Sequence, residues 1–91
     1  MDILSNWFVY IVKCSDNTYY TGITTDTDKR IEKHNKGNGA KYTRSRNPVK
    51  LVYFKPSLNR SSASKEEHRI KSLTREDKIL LINNNKLPLN N

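Results

Sequence analysis

The segment Tyr10–His34, YIVKCSDNTYYTGITTDTDKRIEKH, decides how the chain folds. Tyr10, Ile11 and Val12 continue an aromatic and β-branched run that begins at Trp7, the composition of a strand. Ser15-Asp16-Asn17 is turn chemistry. Thr18-Tyr19-Tyr20-Thr21 resumes strand composition, and Gly22 comes next. The turn length sets the register. A two-residue turn at Asp16-Asn17 would put Lys13 opposite Tyr20 and send Tyr10 and Tyr20 to opposite faces. A three-residue loop, Ser15-Asp16-Asn17, would pair Cys14 with Thr18 and Tyr10 with Gly22. Tyr10 and Tyr20 then share a face as diagonal neighbours. Such loops place a left-handed residue third, which Asn17 tolerates, so the three-residue loop is favoured. Gly22 opposite Tyr10 leaves room for a ligand over the sheet.

The second half of the segment reads as a helix. Thr25-Asp26-Thr27-Asp28 has the form of a capping box, with Asp in place of the usual Glu. The helix is expected to run to about Lys36, where Gly37 or Gly39 stops it. Arg30 and His34 stand four apart and share one face; taken alone, they read as an exposed pair on a solvated helix.

Working outward, Trp7–Val12 is apolar at nearly every position, which predicts a central strand covered on both faces. Residues 36–50 read as a loop, with Lys36, Lys41, Arg44, Arg46 and Lys50 and with Tyr42 among them. Cations interleaved with an aromatic ring and hydroxyls suit phosphate contacts and base stacking. Val49–Phe54 is a third strand that Pro56 should stop. A second helix, capped by Asn59 or Ser61, runs to about Ser72 with Ala63, Ile70 and Leu73 on one stripe. Glu66 and Glu67 both border that stripe, and periodicity does not choose between them. A carboxylate facing a basic cleft is a natural ligand for a hard divalent cation; otherwise both face solvent. Thr74-Arg75-Glu76-Asp77 starts a third helix whose apolar face is Ile79, Leu80 and Ile82. Asn83-Asn84-Asn85 and the residues after them read as a frayed tail. The expected architecture is one α+β domain, residues 7–83, in the order ββαβαα, a small three-stranded sheet with helices on its sides. Residues 1–6 and 84–91 are expected to be flexible termini.

The totals agree with this reading. A chain of 91 residues makes one domain. The net charge of +8, from 17 Lys and Arg against 9 Asp and Glu, suits a nucleic-acid partner. An acidic protein or a membrane surface would also suit the charge. No apolar run is long enough to span a bilayer, and the first residues lack the pattern of a secretory signal. One cysteine, Cys14, excludes an internal disulfide and fits a reducing cytoplasm. Cys14 reads as a small core residue. One Cys and two His do not supply a zinc site.

The residues then show a likeness. Phe8-Val9-Tyr10 together with Tyr20-Thr21-Gly22 resembles the paired signature of the GIY-YIG nucleases. The resemblance continues through Arg30, His34 and Glu67 in the piece Glu67-His68-Arg69-Ile70-Lys71-Ser72-Leu73. It also covers Gly39-Ala40-Lys41-Tyr42-Thr43-Arg44 and Pro48-Val49 with Leu51-Val52-Tyr53. It is nearest to the small stand-alone bacterial branch and spans about Trp7 to Ile82. It implies a three-stranded antiparallel sheet flanked by helices. The implied activity is phosphodiester cleavage with a single divalent cation, Mg²⁺ or Mn²⁺. By resemblance, Tyr10 is the general base or the group orienting the attacking water. Tyr20 bonds near the scissile phosphate, and Arg30 stabilises transition-state charge. Glu67 holds the metal, and His34 assists phosphate or proton transfer. Lys13 is one candidate helper for Tyr10. Phe8 stands where the family has Gly and Thr21 where it has Ile; Asn83 is the candidate for a late family asparagine.

Two functions are therefore weighed. One is a metal-dependent endonuclease acting on nucleic acid, DNA above all, in repair, recombination or turnover. The alternative is a non-catalytic nucleic-acid-binding module on the same fold. A binding module has no need of Glu67, which repels phosphate unless a cation intervenes. A monomer or weak homodimer is expected, with Lys36, Lys41, Tyr42, Arg44 and Arg46 as the nucleic-acid contacts.

Overall fold

The structure, a computed structural model, describes residues 6–85. Strands β1 (Trp7–Lys13), β2 (Tyr19–Thr24) and β3 (Lys50–Ser57) form one antiparallel sheet in the order β2-β1-β3. Helices α1 (Thr27–Asn35), α2 (Arg60–Lys71) and α3 (Arg75–Asn84) complete the ββαβαα order of an α+β domain. β1 is central because Val9–Val12 are apolar on both sides of the pleat, and all four are buried.

The β1–β2 hairpin takes the three-residue loop. Cys14 N–H donates to Thr18 O at 2.8 Å, and Asn17 sits at φ 68°. Asp16 Oδ1 accepts from the Thr18 backbone N–H and hydroxyl, at 3.2 and 2.6 Å, and fixes the turn. Tyr10 therefore faces Gly22 and Val12 faces Tyr20.

Alternation along β1 divides the core in two. Val9 and Ile11 pack with Tyr53 and Ile70, against Ile23, Leu81 and Ile82. Tyr10 and Val12 pack with Cys14 and Val49, against Tyr20 and Ile31 of α1. A bulge opposite Ile11 and Val12 inserts one extra residue into β3. That is why Val52 and Tyr53, neighbours in sequence, both reach the first cluster.

Several expectations change. β3 does not stop at Pro56, which pairs with Phe8 inside the strand. β3 is an edge, where a missing N–H costs no ladder bond if it faces outward. The α1 cap is Asp26, one residue later than expected, accepting from Lys29 N–H at 3.0 Å. Gly37 at φ 81° ends α1: its N–H bonds His34 O and Asn38 N–H bonds Lys33 O, a Schellman closure. Of the two candidate caps for α2, Asn59 is the one used. In α3 the residues packed on the core are Leu81 and Ile82, both half-buried, while Leu80 is 57% exposed. Asn83 and Asn84 lie within α3 rather than in a tail, and Asn85 caps it. The remaining expected tail, residues 86–91, and residues 1–5 of the expected arm lie outside the described residues. No helix among the described residues is long and apolar enough to cross a membrane.

Candidate active site beside the β2 edge

Tyr10 is the centre. Its ring is 1% exposed, and Gly22 on the neighbouring strand makes room for it. A Cβ at Gly22 would stand 2.6 Å from the Tyr10 oxygen and 2.8 Å from Cζ, so no other residue fits without moving the ring. α1 crosses this face and brings two side chains to the hydroxyl. His34 Nε2 lies 2.9 Å from it, and Arg30 Nε donates to it at 3.4 Å. The i, i+4 spacing of Arg30 and His34 is what lets one helix supply both.

His34 is fully buried although polar, so each ring nitrogen needs a partner. Nδ1 lies 2.6 Å from Thr43 Oγ1, and the Thr43 hydroxyl donates to Ala40 O at 3.0 Å. With its proton on Ala40 O, Thr43 accepts from Nδ1–H. Nε2 is then the lone-pair nitrogen that accepts from Tyr10. The 2.6 Å contact with Thr43 outweighs the 3.4 Å approach of the Ala40 N–H to Nδ1 and sets that assignment. Gly39 lets the loop close on the ring, since a Cβ there would collide with His34.

Burial pushes the Tyr10 phenol up to about 12, opposed by the hydrogen bond and charge of Arg30, with Tyr20 and Glu67 adding to the rise. Burial and then the charge of Arg30 pull His34 down to about 4. Both groups are neutral at pH 7. Burial disfavours the charged form of each group, so in the resting site the proton stays on the Tyr10 oxygen. The tyrosine hydroxyl thus donates a hydrogen bond to His34 Nε2, accepts one from Arg30 Nε, and keeps one lone pair.

Tyr20 shares the face of Tyr10, with ring centroids 6.5 Å apart, and meets His34 edge-on at 5.5 Å. Tyr42 stacks on Tyr20 at 6.0 Å, and the Arg46 guanidinium lies 4.0 Å from the centre of the Tyr42 ring. Arg46 in turn bonds Asp16 Oδ2 at 3.0 Å and Tyr42 O at 2.8 Å, tying the basic loop to the hairpin tip. Tyr42 and Arg46 are therefore engaged as the wall of the tyrosine cluster. Lys41 and Arg44 are exposed, and Lys36 pairs with Glu32 at 3.1 Å.

α2 separates the two glutamates. Glu66 is held by Arg69 at 2.6 Å and Lys55 at 3.8 Å, on the β3 side, and Arg69 keeps its carboxyl below the usual range. Glu67 turns towards β2. It pairs with Lys71 at 3.0 Å, and its charge is felt by Tyr10. Lys71 Nζ also stands 6.0 Å from the Tyr20 ring centre. No group of three or more His, Cys, Asp or Glu gathers among the described residues. One half-buried carboxylate is a donor set that fits Mg²⁺ or Mn²⁺, since a hard cation of this kind keeps several waters and takes substrate phosphate oxygens. It does not fit zinc.

Lys13, one candidate helper of Tyr10, falls on the opposite face by strand alternation and is exposed. Arg30 is the cation on Tyr10 instead. Asn83 is exposed in the last turn of α3. Thr43, Gly39 and Lys71 carry no signal of their own as site residues in the sequence. Thr43 and Gly39 lie within a segment that carries the family likeness, and Lys71 lies one turn beyond Glu67.

Comparison with known proteins gives the chain a family. Residues 6–79 match the family model of the GIY-YIG catalytic domain. The chain is 58% identical over 71 residues to a UPF0213 protein of Haloquadratum walsbyi, covering 78% of this chain and 80% of that one. It is 52% identical over 79 residues to a UPF0213 protein of Staphylococcus aureus, covering 87% and 96%. The solution NMR structure of a UPF0213 protein from Bacillus halodurans superposes with a TM-score of 0.59 at 43% identity, covering 90% of this chain and 87% of that one. A second NMR structure, of a protein from E. faecalis, gives 0.55 at 34% identity, covering 88% and 84%. The matched span holds β1, β2, α1, β3 and α2 entire, and with them Tyr10, Gly22, Arg30, His34 and Glu67: the chain belongs to the GIY-YIG catalytic domain family.

Proposed function

We propose that the chain is a divalent-metal-dependent endonuclease that hydrolyses phosphodiester bonds in nucleic acid, with DNA as its substrate. The observation that carries this reading is the Tyr10 hydroxyl held between His34 Nε2 and Arg30 Nε, within the field of Glu67. Tyr10 at about 12 is no base by its own ionisation. It can take a proton only by giving one up. The attacking water passes a proton to the Tyr10 oxygen while the Tyr10 proton moves to His34 Nε2. The imidazolium so formed donates from Nδ1 to Thr43 and from Nε2 back to Tyr10. Arg30 meets Tyr10 through Nε, which leaves both Nη groups for the phosphate oxygens as charge grows on them. Glu67 would hold the cation, which when bound polarises a phosphoryl oxygen and stabilises the leaving oxygen. Lys71 then leaves Glu67 for solvent or phosphate.

A binding module without cleavage is the second reading. The 1% exposure of Tyr10 favours it, because the hydroxyl meets its water only when substrate delivers one. Incubating the purified protein with labelled single-stranded, duplex and branched DNA at low salt with Mg²⁺ or Mn²⁺ separates the two. Cleavage that requires the cation and vanishes in Glu67→Ala supports the enzyme. Binding without cleavage on any of these substrates, or on RNA, supports the module. Cleavage that persists in Glu67→Ala removes Glu67 from the mechanism.

A further inference from the structure

Among the described residues β2 is an edge strand of the sheet, and its last residues separate two depressions. On the α1 side Thr24, Thr25 and Asp26 with Lys29, Arg30 and Lys33 line a small pocket of about 270 Å³. On the α2 side Ile23 floors a groove of about 980 Å³. Its wall is the stripe Arg60, Ser61, Ser64, Lys65, Glu67 and His68 of α2. Those positions recur at helical spacing, so a single face of α2 runs from its first turn to Glu67. Glu67 is thus both a member of the tyrosine site and the end of a groove that the site does not use.

The chemistry of this groove is that of a phosphate track. Among the described residues that line it, Glu67 is the only carboxylate. Arg60 and Lys65 form no ion pair among the described residues, whereas Lys55, Arg69 and Lys71 on the same side of the sheet are already paired. Arg60 rests 5.7 Å from the centre of the Trp7 ring, which holds its guanidinium without neutralising it. Ser61 and Ser64 add hydroxyl donors, and the first turn of α2 adds the positive end of a twelve-residue helix. The groove is open along its length and at the upper end of the ~300–1,000 Å³ of small-ligand pockets, which suits a polymer better than an enclosed metabolite.

We propose that this groove binds the sugar-phosphate backbone of the substrate strand on the Glu67 side of the scissile bond, with the strand crossing the β2 edge. The proposal rests on the nucleic-acid reading of the site and adds to it a subsite outside the basic loop at residues 36–46. Arg60 and Lys65 contact phosphates; Ser61 and Ser64 donate to them.

The test uses the ¹⁵N-labelled protein in EDTA, so that nothing is cut, with a fluorescein-labelled twelve-nucleotide DNA of mixed sequence, single-stranded and as duplex. Amide shifts that move at Ile23, Ser61, Ser64, Lys65 and His68 are expected. The Arg60→Gln/Lys65→Gln double variant should weaken binding at least tenfold and lower the salt slope by about 1.4 to 1.8, at ~0.7–0.9 per lost phosphate contact. A charge-matched control, Lys13→Gln/Lys50→Gln, removes two exposed cations that face each other across β1 and β3. It should change binding less than threefold. Shifts confined to residues 36–46, or equal losses in the two double variants, would overturn the proposal. Cleavage in Mg²⁺ is assayed in parallel. Cleavage with a silent groove overturns the subsite and keeps the nuclease; groove binding without cleavage keeps the subsite and overturns the nuclease; neither overturns both.

Discussion

Acid should unfold this protein through His34. The imidazole titrates at about 4 in the folded chain and near its ordinary 6.5 when unfolded. A depressed folded value means that the stabilising contribution is complete above 6.5 and is lost as pH falls towards 4. The full contribution is about 3 kcal/mol, and roughly 2 kcal/mol of it disappears between pH 7.5 and pH 5. For a domain whose total stability is about 5–15 kcal/mol, that loss is easily measured. Burial dominates the shift, and Arg30 adds to it, so the effect should persist at moderate salt. The assay is urea unfolding of wild type and His34→Gln at the two pH values. The variant starts less stable, and its disadvantage should shrink by about 2 kcal/mol on going to pH 5. Asp16 and Glu66 also have lowered carboxyl values, but both proteins carry them, so their loss cancels in the difference. Ring NMR shifts of His34 should show a midpoint near 4. A midpoint near 6.5, or parallel pH dependence in the two proteins, would refute the reasoning.

Other perturbations draw on the same contacts. Gly22→Ala puts a methyl group 2.6 Å from the Tyr10 oxygen; a stability loss of about 1–3 kcal/mol in urea is expected, with cleavage reduced at least tenfold. Thr43→Val keeps the shape but strands His34 Nδ1–H in a buried site, which should cost about 1–3 kcal/mol and be read in the same unfolding assay. At the alkaline end, the raised Tyr10 value gives a contribution that is intact below pH 10 and lost as pH rises through about 12; burial raises Tyr53 as well, so tyrosinate absorbance should show late-titrating tyrosines, of which the one near 12 is missing in Tyr10→Phe.

What could be read from the sequence was what local chemistry decides. Asn17 as the left-handed third loop residue fixes the hairpin register, and the register alone brings Tyr10 opposite Gly22. The fold came from patterning that agrees with its turns and caps. The errors lie where local signals are degenerate. Thr25 and Asp26 both make good caps, so the start of α1 shifted by one residue. Ile79-Leu80-Leu81-Ile82 is unbroken and carries no helical phase, so the choice of Leu80 over Leu81 had no basis in the pattern. Pro56 stops a strand only where its missing donor would have faced a partner. The partners of the site residues were out of reach for a different reason. Thr43 reaches His34 through a loop that closes back on α1, and Glu67 is distinguished from Glu66 by where α2 lies against β2. Those are facts of tertiary placement.

The central claim is that the Tyr10 oxygen, relaying its proton to His34, activates the nucleophile. Its most direct test is the single-turnover rate of DNA cleavage in Mg²⁺ for wild type and Tyr10→Phe, with the affinity of each for the same DNA measured in EDTA. General-base catalysis predicts a rate lower by about 10²–10⁴-fold with affinity unchanged. A Tyr10→Phe protein that cuts within a few-fold of wild type would contradict the account.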